Sequence, residues 1–267
     1  MENRFNYSEA TLEDFQHAID SYGWIVYENA LSPDLVNQIN DSLDDAYHVR
    51  RRIQIENGIG NNTDGTLHHL LDKDNYAMKF LDQMYFDQEM KSFFNGNYHI
   101  NAFGGVINSK GLSTYVQKIH RDVRSFTGEL KMMMQMIVVL DDFTIANGAT
   151  YFLTGSHKQD ACPDEAYFYA NADRGIAPRG SIILFDSHLW HAAGTNYTDG
   201  QRRALTLSFS RPYIKQQFDY PRFLGYDYGE ILNDKLRQVI GYNARVPADL
   251  YEYYQPPHKR MYQPGQG

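Results

Sequence analysis

The chain has 267 residues, of which 42% are hydrophobic, and its 25 basic and 33 acidic side chains give a formal net charge of −8. That length allows one large buried core, the acidic excess argues against a nucleic-acid partner, and the single cysteine, Cys162, excludes an internal disulfide and any cysteine-rich zinc or iron–sulfur site. The start, MENRFNYSEATLEDF, lacks the apolar core of a signal peptide and no stretch reaches the apolar length of a membrane span, so a cytoplasmic protein without a membrane partner is expected.

Ser32-Pro33-Asp34 reads as an N-cap, a first-turn proline and an early acid, and with Leu35, Ile39, Leu43 and Ala46 at helical spacing it predicts a helix over 33–51. The following IENGIGNNTDGT, rich in Gly and Asn without periodicity, is expected to be a loop. Helical spacing returns over 76–85 and 88–94, with Asn95-Gly96 as a stop. Beyond Tyr98 shorter apolar runs alternate with turn signals, and strands are expected over 100–108, 115–119, 132–140, 150–153, 181–185 and 204–211. Their connections are too short for parallel crossovers, which favours a mainly β protein with flanking helices around a double-stranded β-helix, the antiparallel jelly roll of cupin-like folds. A helix over 230–240 precedes a Pro- and Tyr-rich tail expected to lie across the surface or to be partly disordered. The whole reads as one domain, 1–267, with a mainly helical part over 1–97, the jelly-roll core over 98–213 and a C-terminal helix and tail over 214–267.

His120 and Asp122 are two apart in YVQKIHRDVRSF, so on an extended segment both project from one face toward a shared metal. A His-x-Asp triplet alone arises by chance; a third ligand changes its meaning. His188 and His191 both follow the apolar run 181–185, and His191 is preferred because Arg202 lies eleven positions beyond it. One carboxylate and two imidazoles leave half of an octahedral Fe(II) open, and an arginine fork is the natural partner of a carboxylate such as the distal end of 2-oxoglutarate. On a strand Arg202 shares a face with Thr206 and Ser208, whereas Arg203 shares the parity of Leu205, Leu207 and Phe209 and is expected to leave the strand toward solvent.

With these residues in hand the chain resembles the phytanoyl-CoA dioxygenase-like Fe(II)/2-oxoglutarate-dependent oxygenases. The resemblance runs from His120-Arg121-Asp122 through Asn147-Gly148-Ala149-Thr150, Thr154-Gly155-Ser156-His157-Lys158 and Pro178-Arg179-Gly180-Ser181 to Trp190-His191, Asn196 and Arg202, about the central hundred residues. It implies a dioxygenase in which His120, Asp122 and His191 bind iron, Arg202 binds 2-oxoglutarate, and dioxygen and 2-oxoglutarate become succinate and carbon dioxide while a C–H bond of a small molecule is oxidised. It also implies a polar cosubstrate neighbour near Asn108, which as a strand-end residue reads equally well as the start of a turn. Where such proteins often carry a serine two positions after the distal histidine this chain has Ala193, so Thr206, Ser208 or Thr150 would supply the missing hydroxyl. In related halogenases the Asp122 position is a small residue that makes room for halide, so the carboxylate here favours hydroxylation.

Other polar residues carry weaker readings. Arg124 faces the metal side of an extended IHRDVRSF and Arg211 ends the polar row of the last strand, so either contacts an anionic substrate or sits in a structural salt bridge. His68-His69 line a substrate entrance or start a helix. Ser156-His157 reads as a structural turn with His157 capping or exposed, because neighbouring residues rarely form a nucleophile–base dyad. Two further functions share the triad: a zinc or manganese isomerase or hydrolase without 2-oxoglutarate, which has no use for Arg202, and a non-catalytic module whose metal organises a pocket. The substrate is expected to be a small molecule, anionic or sugar-like; the oligomeric state is open.

Overall fold

The computed structural model describes residues 4–112 and 114–260. In chain order its strands are β1 (Asn6–Tyr7), β2 (Trp24–Tyr27), β3 (Thr66–Leu67), β4 (His99–Asn108), β5 (Met133–Val139), β6 (Tyr151–Phe152), β7 (Asp173–Arg174), β8 (Ile182–Asp186), β9 (His191–Ala192) and β10 (Arg202–Ser210). Seven form one sheet in the order β1-β2-β8-β5-β10-β4-β3, parallel only at β1–β2, and three form an antiparallel sheet β7-β6-β9. This is the expected jelly roll with flanking helices. The first third of the chain is more than a helical preface, since β1 and β2 sit at one edge of the large sheet and β3 at the other.

Side-chain alternation separates the faces of the large sheet. Ile25, Met134, Met136, Leu184, Leu205 and Leu207 join a core with the helices, whereas Trp24, Ile137, Ile183, Phe185 and Ala204 pack with Phe152 of the small sheet. The runs WIVY, MMQMIVV and IILFD are apolar at both parities because both faces are covered. The helical cover is α1 (Leu12–Ser21), closed by a Thr11–Asp14 capping box, and α2 (Pro33–Glu56), capped by Ser32.

Four expectations are corrected. Helix α2 runs past residue 51 to Glu56, and the expected loop contains a helical turn, Gly60–Thr63, and β3. Helix side chains hold that segment: Arg50 donates to the carbonyls of His68 and His69, Arg51 to Gly60 and Gln54 to Thr66. The strand expected over 115–119 is a 3-10 turn, Tyr115–Gln117, in which Gln117 accepts from the Thr114 amide. The helix expected over 230–240 is broken into Tyr228–Ile231 and Asp234–Ile240, because Asn233 caps the second piece by accepting from Leu236 N. His157 is neither a cap nor exposed but 4% accessible. Of the tail, 247–260 forms two short turns, Leu250–Tyr253 and Pro257–Lys259, and 261–267 lies outside the described residues.

His99, on β4, is 2% accessible and donates Nε2–H to Ile214 O at 2.9 Å, leaving Nδ1 without a partner. Burial lowers its pKa to about 4, against the Ile214 hydrogen bond that raises it. The unfolded chain therefore binds a proton first, and stability falls as pH drops from about 6.5 toward 4. Between pH 6.5 and 5 this one group costs about 2 kcal/mol. Urea unfolding of metal-free protein at the two pH values should show His99→Gln removing that much of the pH dependence; parallel curves would contradict it.

Candidate metal centre

His120 lies beside β9 through a single two-bond bridge, His120 N to His191 O at 3.0 Å and His191 N to His120 O at 2.9 Å. The extended segment assumed from sequence ends there. Asp122 sits in a bend, its amide and that of Val123 both donating to Ser187 O. The backbone thus turns against the β8–β9 connection and brings the carboxylate between the imidazoles. His120 Nε2 stands 3.7 Å from Asp122 Oδ1 and His191 Nε2 3.7 Å from Asp122 Oδ2, and one donor atom from each residue lies within 4.8 Å of the others.

The proton positions suit a metal. His120 Nδ1 donates to Lys118 O at 2.7 Å and His191 Nδ1 to Leu189 O at 2.9 Å, which directs both Nε2 lone pairs at the shared point. Burial lowers the pKa of His191 to about 4, helped by His120 and opposed by Asp122. Its imidazole is neutral at pH 7 and needs no deprotonation to bind a metal. Phe185 packs edge-on against the His191 ring at 4.9 Å. With two nitrogens and one carboxylate on one side and no fourth protein ligand among the described residues, the donor set fits a metal with open positions.

The triad opens into a cavity of about 690 Å³ between the sheets, and Arg202, Thr206, Ser208, Thr150, Arg124, His68 and His69 line it too. Arg202 is 3% accessible, has its guanidinium 4.3 Å from the centre of the Phe143 ring, and keeps an Nε without a hydrogen-bond partner. No carboxylate pairs with it among the described residues. Burial, then the nearby Arg174, lowers its pKa to about 10, against the opposing pull of Asp141. A buried cation is costly unless paired, so Arg202 marks a place shaped for an anion. Arg203 faces the other way, in a fork with Asp141 at 2.9 and 2.9 Å, as strand parity requires.

Other expected residues take different tasks. Asn108 stands directly opposite Arg202 in the β4–β10 register, donates Nδ2–H to Gly194 O at 3.0 Å, which ties it to the turn after β9, and borders a small void. Arg211 donates Nε–H to Lys131 O and does not line the cavity. Ser208 donates to Gln135 Oε1 at 2.7 Å, which leaves Thr150 and Thr206 as the lining hydroxyls not engaged this way. His188 accepts or donates between Asp186 Oδ1 at 3.1 Å and Thr127 Oγ1 at 3.1 Å, pinning the Asp122-bearing loop to the end of β8. Ser156 lies in a 3-10 turn, Ser156–Lys158, as expected, and its Oγ accepts from the distant Trp190 N.

Gln135, Tyr115 and Lys118 are among the lining residues that escaped the sequence reading. Gln135 is a lone polar side chain in an apolar run, at the cavity-facing parity of β5, and that parity was the available signal. Tyr115 and Lys118 had none, since their segment was read as a strand.

The β9 end is placed by a close backbone approach. Gly148 has φ +83°, and a Cβ there would stand 2.3 Å from Gly194 O. Gly148→Ala should cost about 2–4 kcal/mol by combining backbone strain with overpacking. Gly58→Ala, with φ +71° but no atom within 4 Å, should cost only about 1 kcal/mol. Chemical denaturation of both variants checks the difference; equal costs would contradict it.

A profile of the phytanoyl-CoA dioxygenase (PhyH) family matches residues 19–204. The uncharacterized protein Rv1501 of Mycobacterium tuberculosis is 38% identical over 148 residues, 55% of this chain and 54% of that protein. Dioxygenase cdmA of Talaromyces verruculosus is 32% identical over 103 residues, 34% of this chain and 33% of that protein. The matched stretch thus spans about half the length of the first relative and a third of the second. Among solved structures, that of EctD from S. alaskensis with 2-oxoglutarate and 5-hydroxyectoine has a TM-score of 0.61 at 17% identity, covering 75% of this chain and 76% of that one, a likeness of fold. No helix among the described residues is long and apolar enough to cross a membrane.

Proposed function

The chain belongs to the phytanoyl-CoA dioxygenase family, and from that premise we propose that it is an Fe(II)- and 2-oxoglutarate-dependent dioxygenase hydroxylating an unactivated C–H bond of a small molecule. One oxygen atom of O2 enters the new hydroxyl and the other enters succinate, with loss of carbon dioxide. Iron held by His120, Asp122 and His191 would supply dioxygen activation at its open positions. The protein's own groups do the rest. Leu189 O and Lys118 O hold the two imidazoles in the tautomer that presents Nε2. Arg202 takes the distal carboxylate of 2-oxoglutarate through a charge-assisted fork, Phe143 keeps that end of the cavity apolar, and Phe185 packs against the His191 ring. Asp122 fills the carboxylate position, which favours hydroxylation over halogenation.

The unpaired, buried Arg202 in the same cavity as the triad is the observation that supports this reading most, because a metal isomerase or hydrolase without 2-oxoglutarate leaves that cation unexplained. Calorimetric titration of anaerobic Fe(II)-loaded protein should find 2-oxoglutarate binding at least tenfold tighter than glutarate, which has both carboxylates but no keto oxygen for the metal. Equal affinities, or no binding of either, would overturn it.

A further inference from the structure

We infer that the cavity carries a second anion site, formed by Lys118 and Arg124, and that the molecule oxidised bears a carboxylate or phosphate group which these side chains hold. The orientation of that molecule over the triad rests on the oxygenase reading above; the anion site itself does not.

The charge lining the cavity runs against that of the chain. Net charge is −8, yet the lining side chains include Lys118, Arg121, Arg124 and Arg202 and one carboxylate, Asp122. Two of the cations are accounted for. Arg121 pairs with Asp160 at 2.8 Å and lies over the Trp190 ring at 5.1 Å, while Arg202 serves the cosubstrate. The formal charges of Fe(II), Asp122, Arg202 and the 2-oxoglutarate dianion cancel, so the loaded site still presents Lys118 and Arg124. Neither makes a side-chain hydrogen bond or ion pair within the described residues. A concave, like-charged surface focuses its field and raises the local concentration of anions.

Their backbone is fixed relative to the metal ligands, while both side chains are exposed. Lys118 stands two residues before His120 and Arg124 two after Asp122. The backbone between them is held by Lys118 O to His120 Nδ1 and by Asp122 N and Val123 N to Ser187 O. Because both side chains line the same cavity as the triad, a group bound by both is kept beside it, which favours oxidation of a carbon tethered to that group. Other lining residues supply shape and not charge. His68 Nε2 meets Tyr115 OH at 3.0 Å and His69 Nδ1 meets Tyr220 OH at 3.2 Å. Burial lowers the pKa of both imidazoles, that of His69 to about 4. His69 adopts φ 55°, held there by Arg50, whose guanidinium donates to the carbonyls of His68 and His69 at 2.7 and 2.6 Å.

Two measurements on the full-length protein test the site. In metal-free Arg202→Met protein, where the deep cation is gone, inorganic phosphate and malonate serve as probes in low-salt calorimetry. At least one should bind saturably, and adding Lys118→Gln and Arg124→Gln should weaken it tenfold or more; unchanged affinity overturns the site, and the preferred probe distinguishes phosphate from carboxylate. In Fe(II)-loaded wild-type protein, succinate formation is screened with matched pairs of metabolites, acid against amide and phosphate ester against parent alcohol. Stimulation should follow the anionic member of a pair, and the double variant should raise its KM at least tenfold more than the KM for 2-oxoglutarate. Equal stimulation by neutral members overturns the substrate class. Absence of succinate and of 2-oxoglutarate binding in the wild type would instead count against the oxygenase reading, while the probe titration would still decide the anion site.

Discussion

Replacing Arg202 with methionine is expected to abolish useful 2-oxoglutarate affinity while leaving the metal-free protein at least as stable as its parent. The two halves come from one fact. Arg202 is a cation at 3% accessibility, without an ion pair and with an unpartnered Nε. Its burial is unfavourable until an anion arrives, and methionine fills the space over Phe143 without the charge. A fully desolvated, forked arginine–carboxylate contact carries about 3–5 kcal/mol when one partner is removed, or roughly two to four orders of magnitude in Kd. Arg202→Lys keeps the charge but loses the planar fork, so it should fall between the two. Calorimetry and thermal unfolding of the metal-free variants give both quantities. Lower stability with unchanged 2-oxoglutarate affinity would make Arg202 a structural residue.

The second large effect is at His191. Its removal takes away one of three metal ligands, and a structural metal site shared among four ligands is worth about 10–16 kcal/mol, so a single ligand contributes about 3–4 kcal/mol. His191→Ala should therefore bind Fe(II) or the spectroscopic substitute Co(II) roughly 100- to 1000-fold more weakly and have no turnover. His188→Gln is the instructive contrast. His188 touches Asp186 and Thr127 and only fixes the loop bearing Asp122, so it should cost about tenfold in metal affinity, as outer contacts to ligands do. Competition against a chelator measures both. Comparable losses for the two variants would contradict this division of roles, and a loss confined to His188→Gln would mean that His188, and not His191, completes the donor set.

Much of this site was readable in the chain because strand parity is a strict rule. Arg202 and Arg203 are neighbours, yet one lies in the cavity and the other faces away from it, as alternation predicted, although the pairing of Arg203 with Asp141 was not foreseen. The long strands were found from another signal: β4, β5, β8 and β10 combine apolar runs with turn signals at their ends. What stayed hidden depends on contacts between distant segments. Helix α2 outlasts its expected end because Arg50, Arg51 and Gln54 reach residues 60–69. Tyr115–Gln117 forms a 3-10 turn although its residues read as a strand, so Tyr115 and Lys118 enter the cavity unannounced. Arg211 was placed in the site on parity, but the Lys131 carbonyl engages it instead, whereas Asn108, expected near the cosubstrate by resemblance, stands opposite Arg202 in the sheet and is tied to Gly194 O. Of the small sheet, with strands of two residues each, β6 falls within the strand expected over 150–153, while β7 and β9 are too short to leave a periodic signal.

The central claim is that the triad and Arg202 work as one oxygenase site. Its most direct test is succinate formation from 2-oxoglutarate after O2 is admitted to anaerobically Fe(II)-loaded protein, measured beside Arg202→Met and His191→Ala under identical loading. The account predicts iron- and oxygen-dependent succinate in the wild type and none above background in either variant at the same 2-oxoglutarate concentration. Succinate made equally by wild type and Arg202→Met, or by none of the three with any candidate substrate present, would contradict it.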